Sequence, residues 1–296
     1  MADLRVGWIG LGAMGGPMAM HLARAGHPLA VWARRPEAMK AHVEAGARAC
    51  GSPAEVASNA DVVFSMVMAS KDSEAVALGA KGIVEGAKLR TIVVDMATIS
   101  PLATRDIAAR LEARGIEHLD APVSGGSAGA EAATLAIMVG GKDAVFARVK
   151  PLFERLGKTI LHMGDHGTGQ VTKLCNQIAQ VVNVQGIAEA MLFAARNGAD
   201  PTRVRDALMG GFAASKMLEV LGLRMVDRTF AAGIPAQLHH KDFGLIVELA
   251  HELGIALPAT ALTAQQLAAL IGHGWGGDDT SSLLRVLEAQ SGDGRG

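Results

Sequence analysis

Through the first half of the chain, short apolar runs alternate with amphipathic ones. The strand-like runs are Leu4–Ile9, Leu29–Trp32, Val62–Met66, Ile92–Asp95, Glu117–Asp120, Leu135–Val139 and Thr159–Met163. Each is brief, rich in Val, Ile or Leu, and bounded by Gly, Pro, Asn or Asp. Between them lie stretches with apolar spacing near 3.6, such as Met14–Ala25 and Leu102–Ala113. Strand–helix alternation of this kind predicts a mostly parallel sheet with helices on both faces.

Near Gly164 the pattern changes. Only helical periodicity follows, over Gln170–Asn197, Pro201–Met209, Ser215–Val226, His240–Leu253, Thr260–Ile271 and Ser281–Gln290. Turn residues break it at Gly198–Pro201, Gly210–Gly211 and Gly272–Gly277. The expected fold is therefore α/β: a Rossmann-type, doubly wound, mostly parallel sheet domain over residues 1–164, followed by an all-α domain over 165–296 that begins with a long interdomain helix.

Composition narrows the function. The chain has 296 residues, 50% of them hydrophobic and 19% charged, with a formal net charge of −1. That length suits two cores rather than one, and that balance suits a soluble globular protein. A basic face for a phosphate backbone is missing, and aromatics, at 3% with no tyrosine, are too few for a base-stacking platform, so nucleic acid is not an expected partner. The two cysteines, Cys50 and Cys175, form no paired pattern, which points to a reducing compartment. The opening residues run into a strand without an apolar signal core, and no run of about eighteen apolar residues suggests a membrane span. A cytoplasmic protein is expected.

The first chemistry lies at Gly10-Leu11-Gly12-Ala13-Met14-Gly15, which fits G-x-G-x-x-G. Glycines are common here (36 in all), so the pattern gains its meaning from context: it follows an apolar strand and opens a helix. Its first glycine permits a tight turn, its second lets a pyrophosphate approach the backbone, and its third allows helix and strand to pack closely. The helix start then offers its positive end to the phosphates. After the second strand comes Ala33-Arg34-Arg35-Pro36, where a carboxylate would suit the ribose hydroxyls of NAD. Arg34 and Arg35 suit a 2′-phosphate instead; the same pair also fits an ordinary solvated turn. NADP(H) is favoured, with NAD(H) possible.

Farther on, Gly164-Asp165-His166-Gly167-Thr168-Gly169 leads into a helix well beyond the usual length of about 11–12 residues. Thr168 is its expected N-cap. Lys173, Asn176, Gln177, Gln180 and Asn183 share one face of it. Such a narrow polar stripe on an apolar helix reads as the lining of a cleft. A partly desolvated lysine there could protonate the alkoxide formed in carbonyl reduction, or it could simply extend from the first helical turn to water. His239, His240, Asp242 and His251 match no recognised metal spacing, so no metal is expected. Ser124-Gly125-Gly126 lacks the Gly-x-Ser-x-Gly elbow of a hydrolase.

Four motifs in order resemble the β-hydroxyacid dehydrogenases, the group of 3-hydroxyisobutyrate dehydrogenase and tartronate semialdehyde reductase. They are Gly10–Ala19 continuing to Ala25-Gly26-His27; Asp120-Ala121-Pro122-Val123-Ser124-Gly125-Gly126; Gly164-x-x-Gly167-x-Gly169-x-x-x-Lys173-x-x-Asn176; and Lys241-Asp242. The resemblance implies Lys173 as catalytic acid/base and Asn176 as its substrate-orienting partner. It further implies that Ser124, Gly125 and Gly126 hold a substrate carboxylate, that Thr98 contacts the nicotinamide half, and that Lys241 reaches the cofactor. Leu208–Ser215, Leu218–Val220 and Leu238–Asp242 look most like the tartronate semialdehyde reductase branch. The expected reaction is reduction of a small carboxylate-bearing aldehyde, such as tartronate semialdehyde to glycerate. Oxidation of 3-hydroxyisobutyrate and reduction of glyoxylate or succinic semialdehyde are alternatives of the same class; a catalytically inactive cofactor-binding interaction protein is the alternative of another. By the same resemblance, a homodimer or homotetramer is expected.

Overall fold

In a computed structural model of the chain, residues 4–231 and 233–292 are described. The chain forms two compact units, Met1–Lys173 and Leu174–Gly296. The division falls inside the long helix, not at the Gly164 break where the periodicity changes.

The first unit carries strands β1 (Val6–Ile9), β2 (Leu29–Trp32), β3 (Arg48–Ala49), β4 (Val62–Ser65), β5 (Ile92–Asp95), β6 (Glu117–Asp120), β7 (Val123–Ser124), β8 (Leu135–Gly141) and β9 (Gly157–Gly164). Its helices are α1 (Gly15–Arg24), α2 (Lys40–Glu44), α3 (Pro53–Ser58), α4 (Ser70–Leu78), α5 (Ile83–Gly86), α6 (Pro101–Glu112), α7 (Gly126–Glu131) and α8 (Asp143–Phe153). The strands form one sheet in the order β3-β2-β1-β4-β5-β6, extended by β8 with β9 on its far side. From β3 to β6 every pairing is parallel.

Both faces of this sheet are buried, which explains why its strands read as continuous apolar runs. Val6, Trp8, Val62, Phe64, Ile92 and Val94 point to one face and pack with Met18 and Leu22 of α1 and Val149 and Phe153 of α8. Ile9, Val63 and Val93 alternate to the other face and meet Val56, Ile83, Ile107 and Leu111.

Two short strands were not foreseen. β3 is a two-residue edge strand with both side chains exposed, so no hydrophobic pattern marks it. β7 continues β6 after Ala121-Pro122: Asp120 faces Gly140, Val123 faces Ile137 and Ser124 faces Ala136 in one unbroken antiparallel register along β8. The Met138 N–H donates to the Pro122 carbonyl within the gap, at 3.1 Å.

Helix α9 (Thr168–Arg196) opens in the first unit and continues as the central helix of the second. The second unit adds α10 (Pro201–Met209), α11 (Leu223–Val226), α12 (Ala236–Glu252), α13 (Pro258–Gly272) and α14 (Leu283–Gln290). Leu174, Val181, Val184, Ala188 and Met191 of α9 form a stripe against Leu221, Phe243, Leu267 and Leu283. The helix foreseen over Ser215–Val226 is present from residue 216 onward, but it carries a π-helical turn, Leu218–Gly222, that runs into α11. Ser215 stands just ahead of it: its hydroxyl accepts from the Leu218 N–H and donates to Asn183, so it caps the segment rather than lying within it. Among the described residues, α9 is the one helix long and apolar enough to cross a membrane by length and composition. Its Gln170, Lys173, Gln177 and Gln185 are nevertheless buried within the fold.

Candidate active site

The parallel register brings Ile9, Trp32, Ser65, Asp95 and Asp120 level at one edge of the sheet. The glycine turn, the arginine pair, the Thr98 loop and the Ser124–Gly126 segment therefore all open at the carboxyl ends of adjacent strands, the edge where doubly wound sheets bind ligands.

The three motif glycines have three separate reasons to be glycine. Gly10 has φ +93°, and a Cβ there would collide with the Met66 carbonyl oxygen. A Cβ on Gly15 would strike the Gly10 carbonyl and approach Trp8 Nε1 to 2.9 Å, where helix and strand are in contact. At Gly12 a Cβ would meet nothing within 4 Å among the described residues. The space before the backbone there is open. Leu11 is buried, Ala13 is exposed, and Met14 leads into α1 without a side-chain cap or an acidic first turn. This arrangement fits a pyrophosphate: the positive end of a helix meets open space, with no acidic residue in the helix's first turn.

Past β2, Ala33 is buried while Arg34 and Arg35 stand exposed. Arg34 lies 3.9 Å from Asp72, too far for a hydrogen bond, with 77% of its side chain exposed. The loop after β5 is tightly held. Asp95 Oδ1 accepts from the Ala97 N–H at 3.0 Å and from the Ser65 hydroxyl at 3.2 Å. Burial pushes the Asp95 carboxyl up to about 6 against these hydrogen bonds. Thr98, half-buried, sits in this loop. At Ser124–Gly126, Gly125 and Gly126 both take positive φ, +139° and +62°, so the backbone reverses there where a side chain would be strained.

Lys173 is 8% exposed and closes the first unit, in the second turn of α9. The expected N-cap role of Thr168 does not hold: Thr168 is already helical, and its hydroxyl donates to the Asp165 carbonyl. The cap comes from elsewhere. Asp120 Oδ1 accepts from the Gly167 N–H at 2.8 Å and Oδ2 from the Gln170 N–H at 2.9 Å. Burial pushes the Asp120 carboxyl above the ordinary carboxylate range, and the two amide hydrogen bonds pull it back.

In the second unit, the stripe of α9 forms a hydrogen-bonded series. Asn176 Nδ2 donates to Gln177 Oε1 at 2.9 Å, and Gln177 Nε2 donates to Asp242 Oδ2 at 2.6 Å. Lys241 Nζ lies 3.0 Å from Asp242 Oδ1. The His239 ring is hydrogen-bonded to Thr280, and among the described residues no group of three or more His, Cys, Asp or Glu could hold a metal.

Sequence reasoning missed the roles of Asp95, Asp120, Gln170 and Asp242. A lone carboxylate ending an apolar strand was the available signal for Asp95 and Asp120. Gln170 carried none, since a glutamine in a first helical turn is unremarkable.

A doubly wound sheet with an open glycine turn after its first strand, and a buried lysine on a helix fastened to the end of β6, defines a nicotinamide-dependent oxidoreductase. The comparisons with known proteins make this specific. Residues 5–164 match the family described as the NAD binding domain of 6-phosphogluconate dehydrogenase, and residues 167–287 the one described as NAD-binding of NADP-dependent 3-hydroxyisobutyrate dehydrogenase. The chain is 45% identical to the 2-hydroxy-3-oxopropionate reductase of Escherichia coli, over 96% of this chain and 97% of that one. It is 36% identical to the 3-hydroxyisobutyrate dehydrogenase of Pseudomonas aeruginosa, over 87% and 89%. A solved structure of Mycobacterium tuberculosis 3-hydroxyisobutyrate dehydrogenase with L-serine superposes with a TM-score of 0.89 at 29% identity, covering 96% of this chain and 99% of that one. The chain belongs to the β-hydroxyacid dehydrogenase family related to 3-hydroxyisobutyrate dehydrogenase.

Proposed function

We propose that this protein reduces tartronate semialdehyde (2-hydroxy-3-oxopropionate) to glycerate, with NADPH preferred over NADH. The observation that carries the chemistry is Lys173, buried one turn into a helix whose start is fastened to the sheet edge where the glycine turn opens. The choice of substrate rests on the likeness to the Escherichia coli reductase along nearly the whole chain.

The bound cofactor supplies the hydride that adds to the carbonyl carbon. Lys173 Nζ gives its proton to the carbonyl oxygen as negative charge develops there, and water restores the proton afterwards. Ser124, through its hydroxyl, and Gly125 and Gly126, through their N–H groups, bind the substrate carboxylate, while Asn176 orients the carbonyl end. Gly10 to Gly15 cradle the pyrophosphate, Arg34 and Arg35 take the 2′-phosphate, Thr98 contacts the nicotinamide half and Lys241 contacts the cofactor. Residues 1–164 then serve as the cofactor-binding domain, and residues 165–296 as the substrate and oligomerisation domain. Phe193, 71% exposed, and the exposed Phe212 suit burial between copies in a homodimer or homotetramer. Cys50 and Cys175 are free thiols, in keeping with a reducing, cytoplasmic compartment.

Turnover of a panel of aldehydes bearing a carboxylate, with NADPH and NADH in parallel, tests this reading. Tartronate semialdehyde with NADPH should give the highest kcat/KM; a higher value for glyoxylate or succinic semialdehyde, or for oxidation of 3-hydroxyisobutyrate with NADP+ or NAD+ in the reverse direction, would reassign the substrate. No rate with any of them would return the protein to a binding role. Lys173→Ala should lower kcat by roughly 10²–10⁴-fold while cofactor affinity persists.

A further inference from the structure

Gln170 is fully buried, and its polar groups reach two different segments of the first unit. Its side-chain Oε1 accepts from the Ile99 N–H at 3.1 Å, and its Nε2 donates to the Ala97 carbonyl at 2.8 Å. Those two residues flank Thr98. Its own backbone N–H donates to Asp120 Oδ2 at 2.9 Å, next to the Gly167 bond on Oδ1. Asp120 in turn ends β6, four residues ahead of Ser124. The Thr98 loop is gripped further by Asp95 at Ala97 and by the Ser70 hydroxyl, which accepts from the Ser100 N–H at 3.2 Å.

We infer that Gln170 is a positioning residue that locks the Thr98 loop to the first turn of α9 and so sets where Lys173 stands relative to the nicotinamide side of the site. This rests on the roles proposed above for Lys173 and Thr98. Lys173 lies three residues on, on the neighbouring position of the same helix face, so a shift of Gln170 is a shift of Lys173. A primary amide suits the position because it presents one acceptor and one donor side by side. A carboxylate presents two acceptors and would set one against the Ala97 carbonyl. An aliphatic chain of similar length would leave a buried N–H and a buried C=O without partners. A displacement of about 1 Å at a reacting group can cost on the order of 10²-fold in rate.

The test compares Gln170→Met and Gln170→Glu with the wild-type full-length enzyme. Gln170→Met should lower kcat roughly 10²-fold, with the KM for NADPH changed much less than kcat because the glycine turn that cradles the pyrophosphate lies elsewhere. Gln170→Glu should recover as pH falls, since a protonated carboxyl again offers one donor and one acceptor; the ratio of its kcat to that of wild type should rise toward one. Amide exchange at Ile99 reads the lock without turnover: it should accelerate in Gln170→Met and stay slow in Gln170→Glu, whose carboxyl still accepts. If wild type proved inactive on every aldehyde, the substrate reading would fail while Ile99 exchange still decided the lock. Wild-type kcat in Gln170→Met, equal losses of kcat and NADPH affinity, or a Gln170→Glu ratio that ignores pH would each overturn the inference. Should Gln170→Met fail to fold, the pH ratio of Gln170→Glu alone decides it.

Discussion

Two glycine-rich turns in the first unit look alike as sequence and behave as opposites. Gly10–Gly15 leads from β1 into α1, and Gly164–Gly169 leads from β9 into α9. Each sends a strand into a helix whose first N–H groups need an acceptor. At the first turn the space ahead of Gly12 is open and no side chain caps the helix. At the second, a Cβ on Gly169 would collide with the Met138 carbonyl and come within 2.8 Å of Asp120 Oδ2, because the Asp120 carboxylate already occupies the helix end. One turn leaves its positive end open and uncapped, as binding an anion would require. The other holds an anion of the protein's own, and in return its helix, with Lys173, is fixed in place. Glycine content marks both turns; the neighbour that approaches decides their use.

Three perturbations would break or sharpen that contrast. The largest effect is expected at the closed turn. Gly169→Ala forces a methyl against backbone oxygens that cannot yield, and should cost about 3 kcal/mol in urea unfolding. Unchanged stability would mean the turn is not closed.

Next comes pH. His118 lies on β6 beside His166 of the closed turn, ring centroids 5.7 Å apart, and burial, helped by His166, holds it down to about 3. The unfolded chain takes up this proton near the ordinary histidine value of about 6.5, whereas the folded chain refuses it until far lower. The contribution to stability is therefore fully present above that value and is lost as pH falls through the window between the two. By pH 5 the loss amounts to about 2 kcal/mol. His118→Leu should flatten the stability profile between neutral pH and pH 5 by that amount; an unaltered slope would assign the acid sensitivity to other groups.

The smallest effect belongs to the open turn. Gly12→Ala places its methyl in free space, so stability should stay within about 0.5 kcal/mol. NADPH affinity should fall about tenfold or more, roughly 1.4 kcal/mol, by fluorescence titration. Full retention of affinity would show that no phosphate approaches there.

The legible parts were those governed by local pattern. Val62-Val63-Phe64 and Ile92-Val93-Val94 announce strands buried on both faces, and β2, β5 and β6 fall on their expected residues. The four ordered motifs also carried the family to which the chain belongs. Thr168 was misread because a threonine at a helix start is the usual cap, and nothing nearby in the chain announces a carboxylate arriving from β6. Likewise Ser215 and the π-helical turn hide inside ordinary helical spacing.

The sequence by itself determined the alternation of elements, the change to all-helical structure after Gly164 and the presence of a nucleotide-type turn. Each follows from backbone sterics and side-chain periodicity over a few residues. Only the tertiary structure decided which glycine turn stays open, that Asp120 caps the helix of Lys173, and that Gln170 ties that helix to the Thr98 loop. Those bonds join residues 47 to 73 positions apart, and a hydrogen bond forms only where packing brings donor and acceptor within about 3 Å. No local pattern encodes that approach; it exists once the two faces of the sheet are covered and the strands stand in register.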